Sequence, residues 1–390
     1  MKLAKLSLAA IVAVGAMTTF ATAAPLEEAI KGVEVSGMMR YRWYNQSNKT
    51  KKDKSDRYRM SAPITFVAPV ADNLTAGVAF RYESNQYTKD GANDVSNVDA
   101  VKYWFKYATP DYSLRAGQFE ISSPWTETGY GGTRGEGMLA MYTGLTDWTF
   151  AAGYWQNTRG MNDAKYIKTT EVGKQNLYAA AAIGSVGPVN LQAWASKMVN
   201  VFDSSIFVQA DTKYEGFSLK VQANQLELGG STKTALVDGC TFSKDKGTFW
   251  GAEAGFEMAG FNVDAGYTRN DKKMPIYALD GDNDGMIKAG KQMYYETTNA
   301  FDAKTMFVTA GYSFDKYRVG AGFVDAKNYT KTDKTGEKVK AKEYYGEAGY
   351  KYSKNFDLSF YYSRYDKNSV SNDVANGDND EFRFQAMYKF

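Results

Sequence analysis

The 390-residue chain has no histidine, one cysteine (Cys240) and 7 prolines. Without histidine there is no His–nucleophile pair and no imidazole to hold zinc, so the common hydrolase and zinc-enzyme chemistries lack their central residue and no enzymatic role is expected. A lone cysteine closes no intrachain disulfide. Net charge is also scarce: 47 Lys and Arg stand against 44 Asp and Glu, too even a balance for a binder of nucleic acid. Long apolar runs are missing too. After the N-terminal segment nothing approaches the ~20 apolar residues of a membrane helix, and the mean hydropathy is −0.48. What the chain has in plenty is 29 Tyr, 22 Phe and 36 Gly, the make-up of a large β protein rich in tight turns.

Residues 1–23 carry Lys2 and Lys5, then an apolar stretch from Leu6 to about Phe20, then Ala21-Thr22-Ala23. Charged, apolar and small-residue regions in that order read as a secretory signal peptide, leaving residues 24–390 as the mature domain outside the cytoplasm.

From Gly32 onward, apolar and polar side chains alternate with the period of a strand. Phe382, Phe384, Ala386, Tyr388 and Phe390 share one face, with Arg383, Gln385, Met387 and Lys389 on the other. Val35, Met39, Tyr41 and Trp43 alternate with Ser36, Arg40 and Arg42 in the same way. About eighteen such segments are expected, from 32–45, 56–68 and 73–84 to 340–353, 356–366 and 381–390, with sixteen as the alternative count. A soluble sandwich would alternate as well. Loop lengths separate the two: short turns such as Thr109-Pro110-Asp111, Ala259-Gly260 and Asp315-Lys316 take turns with long polar loops such as 158–175, 228–246 and 271–301. Tyr103, Tyr107 and Tyr112 bracket one short turn, while Trp43, Tyr58 and Tyr82 gather towards the long-loop rim. Together with the signal segment, this pattern predicts an all-β, transmembrane antiparallel β-barrel of the bacterial outer membrane. Pro63 donates no ladder hydrogen bond and marks an irregularity inside the second strand.

Particular residues carry a resemblance. Pro25-Leu26-Glu27-Glu28-Ala29-Ile30, Ala116-Gly117-Gln118 with Trp125-Thr126-Glu127, and the end Gln385-Ala386-Met387-Tyr388-Lys389-Phe390 resemble the Campylobacter-type major outer membrane protein family. The resemblance covers both ends and the strand framework, whereas the long loops diverge. It implies an eighteen-stranded homotrimeric porin that passes ions and small hydrophilic solutes, often with cation preference.

In a barrel of this size the selectivity depends on what narrows an aqueous lumen. The connection 119–137 is the candidate constriction loop, with Glu120, Glu127 and Glu136 and a glycine-rich second half. On the inward face of the first five strands the alternation puts Arg40, Arg42, Arg57, Arg59, Arg81, Lys102, Lys106 and Arg115; later strands point Glu253, Glu257, Glu343 and Glu347 inward. Opposed rows of charge in a narrow passage set up a transverse field that sorts cations from anions. A passive diffusion channel is the reading this favours. A substrate-specific channel or a surface adhesin is the alternative.

No cofactor is required by this reading, but one acidic motif bears on calcium. Asp280, Asp282 and Asp284 fall at positions 1, 3 and 5 of the pattern that opens an EF-hand loop, with Gly285 at 6. Position 12 is Lys291 in place of the bidentate Glu. Two readings stand: a one-sided Ca²⁺ site using these acids and the Met286 carbonyl, or a solvated acidic turn. Outer-membrane lipid is the expected surrounding, and the basic run Lys49–Lys54 is a solvated loop placed to touch lipopolysaccharide headgroups.

Overall fold

A computed structural model describes residues 32–49, 53–87, 95–128, 132–159, 175–229, 246–272, 285–293, 301–329, 338–369 and 378–390. The signal segment, Asp280, Asp282, Asp284 and Cys240 lie outside the described residues.

The described residues form eighteen antiparallel strands. They are β1 (Glu34–Asn48), β2 (Asp53–Ala71), β3 (Leu74–Tyr87), β4 (Val95–Ala108), β5 (Tyr112–Glu120), β6 (Arg134–Leu145), β7 (Trp148–Arg159), β8 (Leu177–Val186) and β9 (Val189–Met198). The second half holds β10 (Phe202–Tyr214), β11 (Phe217–Leu228), β12 (Lys246–Met258), β13 (Phe261–Asn270), β14 (Phe301–Phe314), β15 (Tyr317–Tyr329), β16 (Lys338–Lys351), β17 (Phe356–Ser369) and β18 (Asn379–Lys389). Each strand pairs with its neighbours in sequence, and β1 pairs with both β2 and β18, which closes the sheet. Closure removes the open edges whose backbone groups would go unpaired in hydrocarbon.

The alternation works as the sequence suggests. Met39, Tyr41, Phe105, Leu114, Val208, Val308 and Tyr344 are 39–51% exposed and form the outward apolar surface. At the short-turn rim this surface ends in a belt of touching rings. Phe261 meets Tyr312 at 4.2 Å, Tyr312 meets Phe314 at 5.6 Å, Phe314 meets Tyr317 at 5.4 Å, and Tyr317 meets Tyr350 at 4.9 Å. Tyr112 and Tyr142 continue the belt on the other side at 4.9 Å. Such amphipathic girdles mark a membrane interface. The short turns use Asn73, Asp147 and Asp315 at positive φ, the residue types that tolerate the left-handed region. Register between β1 and β2 skips from Gly37↔Ile64 to Arg40↔Ser61, so the ladder is interrupted where Pro63 lacks its donor.

One regularity fails. The connection from β9 to β10 spans only 199–201 on the long-loop rim, and that from β1 to β2 only 49–52, so long loops do not occupy that rim throughout. Asn200, with φ 60°, makes the tighter of the two connections.

Val308 sits mid-strand on the outward face of β14 and Thr309 on the lumen face. Val308→Arg is expected to cost about 2–4 kcal/mol in unfolding from lipid vesicles, and Thr309→Arg far less. Equal losses from the two would overturn this assignment of faces.

Candidate pore and constriction

The inside of the barrel presents two unlike surfaces. Strands β18, β1, β2 and β3 turn Arg383, Arg40, Arg42, Arg57, Arg59 and Arg81 towards the lumen. Arg42 and Arg59 face each other directly across the β1–β2 ladder. Neutral groups brace several of them. Arg42 Nε donates to Gln385 Oε1 at 2.6 Å and Arg57 Nε to Asn85 Oδ1 at 2.8 Å. The guanidinium of Arg383 lies 4.4 Å over the Tyr361 ring. Glu83 supplies carboxylate bracing on this wall, to Arg59 Nε at 2.9 Å and to Arg81 at 3.3 Å. Bracing by amides and rings fixes an arginine without cancelling its charge.

The opposite side of the interior is dry. Phe119, Ile121, Trp155, Leu177, Met198, Phe207, Leu226 and Phe249 point inward from β5 to β12 and form one buried apolar cluster with Trp125. Trp125 belongs to the connection after β5 and reaches across to β11, where its indole N–H donates to Asn224 Oδ1 at 2.9 Å. Its ring packs edge-on against Trp194 and Phe207 at 6.4 Å each. Residues 121–128 of the connection between β5 and β6 therefore fold into the barrel, held by apolar packing and the indole hydrogen bond of Trp125.

A second segment folds in as well. Residues 285–293, between β13 and β14, enter the lumen and are fixed at two points. Gln222 of β11 grips the backbone on both sides of Met286, donating to the Gly285 carbonyl at 2.8 Å and accepting the Ile287 N–H at 2.7 Å. Glu343 of β16 is fully buried. Its carboxylate accepts the backbone N–H of Lys291 at 2.7 Å, of Gln292 at 3.1 Å and of Met293 at 2.9 Å, and the Ser363 hydroxyl at 2.7 Å. Multiple backbone donors are what a buried carboxylate needs to remain charged away from water. Ile287, Ala289 and Met293 pack against Phe307, Val324, Ala326 and Ala341 of the wall. Gly290 has φ 89°, and a Cβ there would fall 2.3 Å from Glu343 Oε2, so this anchor requires glycine. The two inward segments touch where Gly285 abuts Pro124.

What remains open is a cavity of 1460 Å³ along the arginine wall, closed in by Glu127 on one segment and Lys288 and Lys291 on the other. Ten cationic side chains line it against five acidic ones: Glu83, Glu127, Glu253, Asp264 and Glu381. Behind the first segment lies a second chamber of 650 Å³ with an apolar wall, including Ile183, Trp155 and Trp194, and with Lys106, Arg115 and Lys220 among its polar groups.

The residues singled out from the sequence thus separate into groups. Arg40, Arg42, Arg57, Arg59, Arg81, Glu127 and Glu253 share the main cavity. Lys106, Arg115 and Glu120 line the second chamber, and Lys102 pairs with Glu120 at 2.5 Å. Glu347 pairs with Lys291 at 2.8 Å, and Glu257 with Lys213 at 2.6 Å near the short-turn rim. Two carboxylates depart from the expected pore-lining role. Glu343 lies beneath the second segment as its anchor and not at the water surface. Glu136 is on the outside of the barrel, on the face of Met138, accepting from Tyr103 Oη and Asn157 Nδ2 at 2.9 Å each. The reason is that Glu136 already belongs to β6, where it shares the outward parity of Met138 and Ala140, while the ladder irregularity between Arg134 and Glu136 lets Arg134 line the lumen. Gly135 and Gly137 allow β6 to approach β7, a Cβ at 137 falling 1.9 Å from the Tyr154 carbonyl.

Arg134, Arg159, Arg383, Lys288, Lys291, Asp264 and Glu381 are lining residues that the sequence reading did not single out. Arg383 and Glu381 were accessible to it through the alternation of the last strand. Lys288 and Lys291 lie in a connection without periodicity, and nothing local marks it as turned inward. Met286 is buried in the apolar cluster, and among the described residues no group of three or more acidic, His or Cys side chains could hold a metal ion.

A closed eighteen-strand barrel with an apolar exterior and a charged, partly obstructed lumen is an outer-membrane porin channel. The profile of the Campylobacter major outer membrane protein matches residues 1–390, and the chain belongs to that family. No curated protein sequence matches it. Its fold resembles that of Pseudomonas aeruginosa OccK5 (OpdH), with a TM-score of 0.73 at 13% identity, covering 93% of this chain and 99% of that one. Acinetobacter baumannii OccAB1 is similar at a TM-score of 0.74 and 11% identity, covering 93% and 97%. At such identities the likeness is one of fold.

Replacing Glu343 with Ala removes the shared acceptor of three backbone N–H groups, each costing about 1–3 kcal/mol when left buried and unpaired. The 285–293 segment should then leave the lumen and single-channel conductance should rise. Unchanged conductance from a folded Glu343→Ala barrel would show that this anchor does not hold the constriction.

Proposed function

We infer that the channel works by passive diffusion of small hydrophilic solutes and that its water path favours anions and solutes bearing an anionic group. The observation that carries this is the lining of the main cavity, ten cations to five acids, with Arg42 held by the Gln385 amide and Arg383 by the Tyr361 ring, neutral partners that do not cancel a guanidinium charge. In a narrow passage with low-dielectric walls such an imbalance concentrates counter-ions. This reading runs against the cation preference that the family resemblance implies. The apolar-walled chamber of 650 Å³ supports a second reading, selectivity for amphipathic anions whose apolar part would rest near Trp155 and Trp194.

A homotrimer is part of the proposal. The outward surface of β6 to β9 carries a patch of small side chains, the exposed Ala140, Ala152, Ala180, Ala193 and Ala195, between larger ones such as Met138, Phe150 and Tyr178, and beside it the carboxylate of Glu136 sits among Tyr103 and Asn157. A hydrogen-bonded carboxylate on the outer face of a barrel is better accommodated against protein than against acyl chains. Such a surface suits close contact with a second copy.

Two measurements test these readings. In a salt gradient across a planar bilayer, the wild-type reversal potential should carry the sign of chloride selectivity. Replacing Arg57 and Arg59 with Ser should move it towards potassium, and replacing Glu127 and Glu253 with Gln should move it the other way. A cation-selective wild type, or potentials unmoved by both pairs, would sink the charge argument. For assembly, Ala152→Trp with Ala180→Trp should convert a trimer in mild detergent to conducting monomers. Trimers unaffected by both bulky rings would place the contact on another face.

A further inference from the structure

Four cations line up on the outside of the barrel. Arg269 of β13 stands opposite Lys304 of β14, Lys304 opposite Lys327 of β15, and Lys327 opposite Lys340 of β16. All four side chains are exposed. Their neighbours along the chain point inward and are buried to 1% exposure or less: Thr268, Asn270, Ala303, Thr305, Ala326, Val339 and Ala341. The strand period therefore leaves the cations no direction but outward. With strands about 4.8 Å apart, the row extends roughly 14 Å along the barrel surface.

Its height is set by the rings beneath it. Towards the short turns the same outward faces carry Tyr267 and Met306 two residues on, and Phe323 four residues on, past the Asp325 that pairs with Lys342; Trp250 meets Tyr267 at 5.1 Å and Tyr344 meets Phe323 at 4.9 Å. These rings form the upper edge of the apolar surface. Along β14, eight residues separate Lys304 from Tyr312 in the lower belt, roughly 20 Å at about 3.3 Å per residue and a tilt of about 40°. That is close to the height of the apolar band of an outer-membrane barrel, so the row lies at the headgroup level of the leaflet on the long-loop side.

A row of like charges directly across a ladder is destabilising unless something answers it. Elsewhere on this rim it is answered within the chain: Lys342 pairs with Asp325 at 3.9 Å, and Arg364 with Asp366 at 3.1 Å. The row above has no such answer. Among the described residues, none of the four cations makes an ion pair or hydrogen bond. We propose that the Arg269–Lys304–Lys327–Lys340 row is a binding site for the phosphates of the outer-leaflet glycolipid, the lipid A part of lipopolysaccharide. Charge complementarity and position select this occupant. It carries two phosphates on a rigid sugar pair held at the headgroup plane, and its acyl chains lie against Met306, Val308 and Phe323 below. Charge-assisted hydrogen bonds from Lys and Arg hold phosphate oxygens, and the lysine stems run over the apolar edge while their ammonium groups reach the headgroups. This site is separate from the basic run at Lys49–Lys54, on the far side of β17 and β18.

The test is native mass spectrometry of the folded full-length barrel in mild detergent, titrated with bisphosphorylated lipid A and, separately, with phosphatidylglycerol. The wild type should retain one lipid A with an affinity at least tenfold above that for phosphatidylglycerol. A variant with Arg269, Lys304, Lys327 and Lys340 all changed to Gln should lose at least tenfold in lipid A affinity and keep its conductance. A control with Lys316, Lys351, Lys354 and Lys389 changed to Gln, at the short-turn rim, should bind as wild type does. The milder Lys304→Gln with Lys327→Gln serves if the fourfold variant folds poorly, with an intermediate loss. Equal affinity for the two lipids, equal loss in the control, or undiminished lipid A binding by a folded row variant would each overturn the proposal. So would loss of the oligomer without loss of lipid A, which would make the row a subunit contact.

Discussion

A backbone that crosses hydrocarbon must pair every N–H and C=O within the protein. In this chain β1 pairs with both β2 and β18, and much else follows from that closure. A closed sheet sends every second side chain inward, whatever its polarity. An eighteen-strand cylinder also encloses more space than side chains on its wall can fill. The polar sequence and low mean hydropathy of a membrane protein become reasonable once half of each strand faces an interior that lipid never reaches.

Filling that interior unevenly is how this channel obtains its path. One half of the lumen is packed like the core of a soluble protein, with Trp125 drawn onto Asn224 and an apolar cluster from Phe119 to Phe249. A second segment is pinned by Glu343 and Gln222. Water is left the arginine wall, where dense packing on the far side keeps the passage narrow. The same packing makes the charges count, since a field is weakly screened where low-dielectric protein displaces water. Obstruction and the selectivity proposed above thus have one physical origin.

Strand alternation was readable because it is a local property: the strand frame and the inward direction of Arg40, Arg42, Arg57, Arg59 and Arg81 need only the parity of neighbouring residues. Parity with Met138 also fixes Glu136, but only if β6 is known to reach back past Gly137; its glycines imitate a loop, and the carboxylate was therefore assigned to the wrong side. Glu343 was assigned the right direction and the wrong role, because burial depends on a segment some fifty residues away in sequence. The apolar inward residues Trp155, Leu177 and Phe207 were the least legible. The usual rule gives a porin lumen polar side chains, and only a loop folded onto them makes their burial favourable.

Sequence alone therefore determined the strand frame to within about two strands, its faces, the aromatic belts and the charge of one wall, since each depends on side-chain order within a few residues. Only the tertiary structure decided which connections turn inward, which carboxylates touch water, and where on the outer rim cations from four separate strands come into line. Those outcomes depend on contacts between residues far apart in the chain, and periodicity within a strand contains no information about what packs across the barrel.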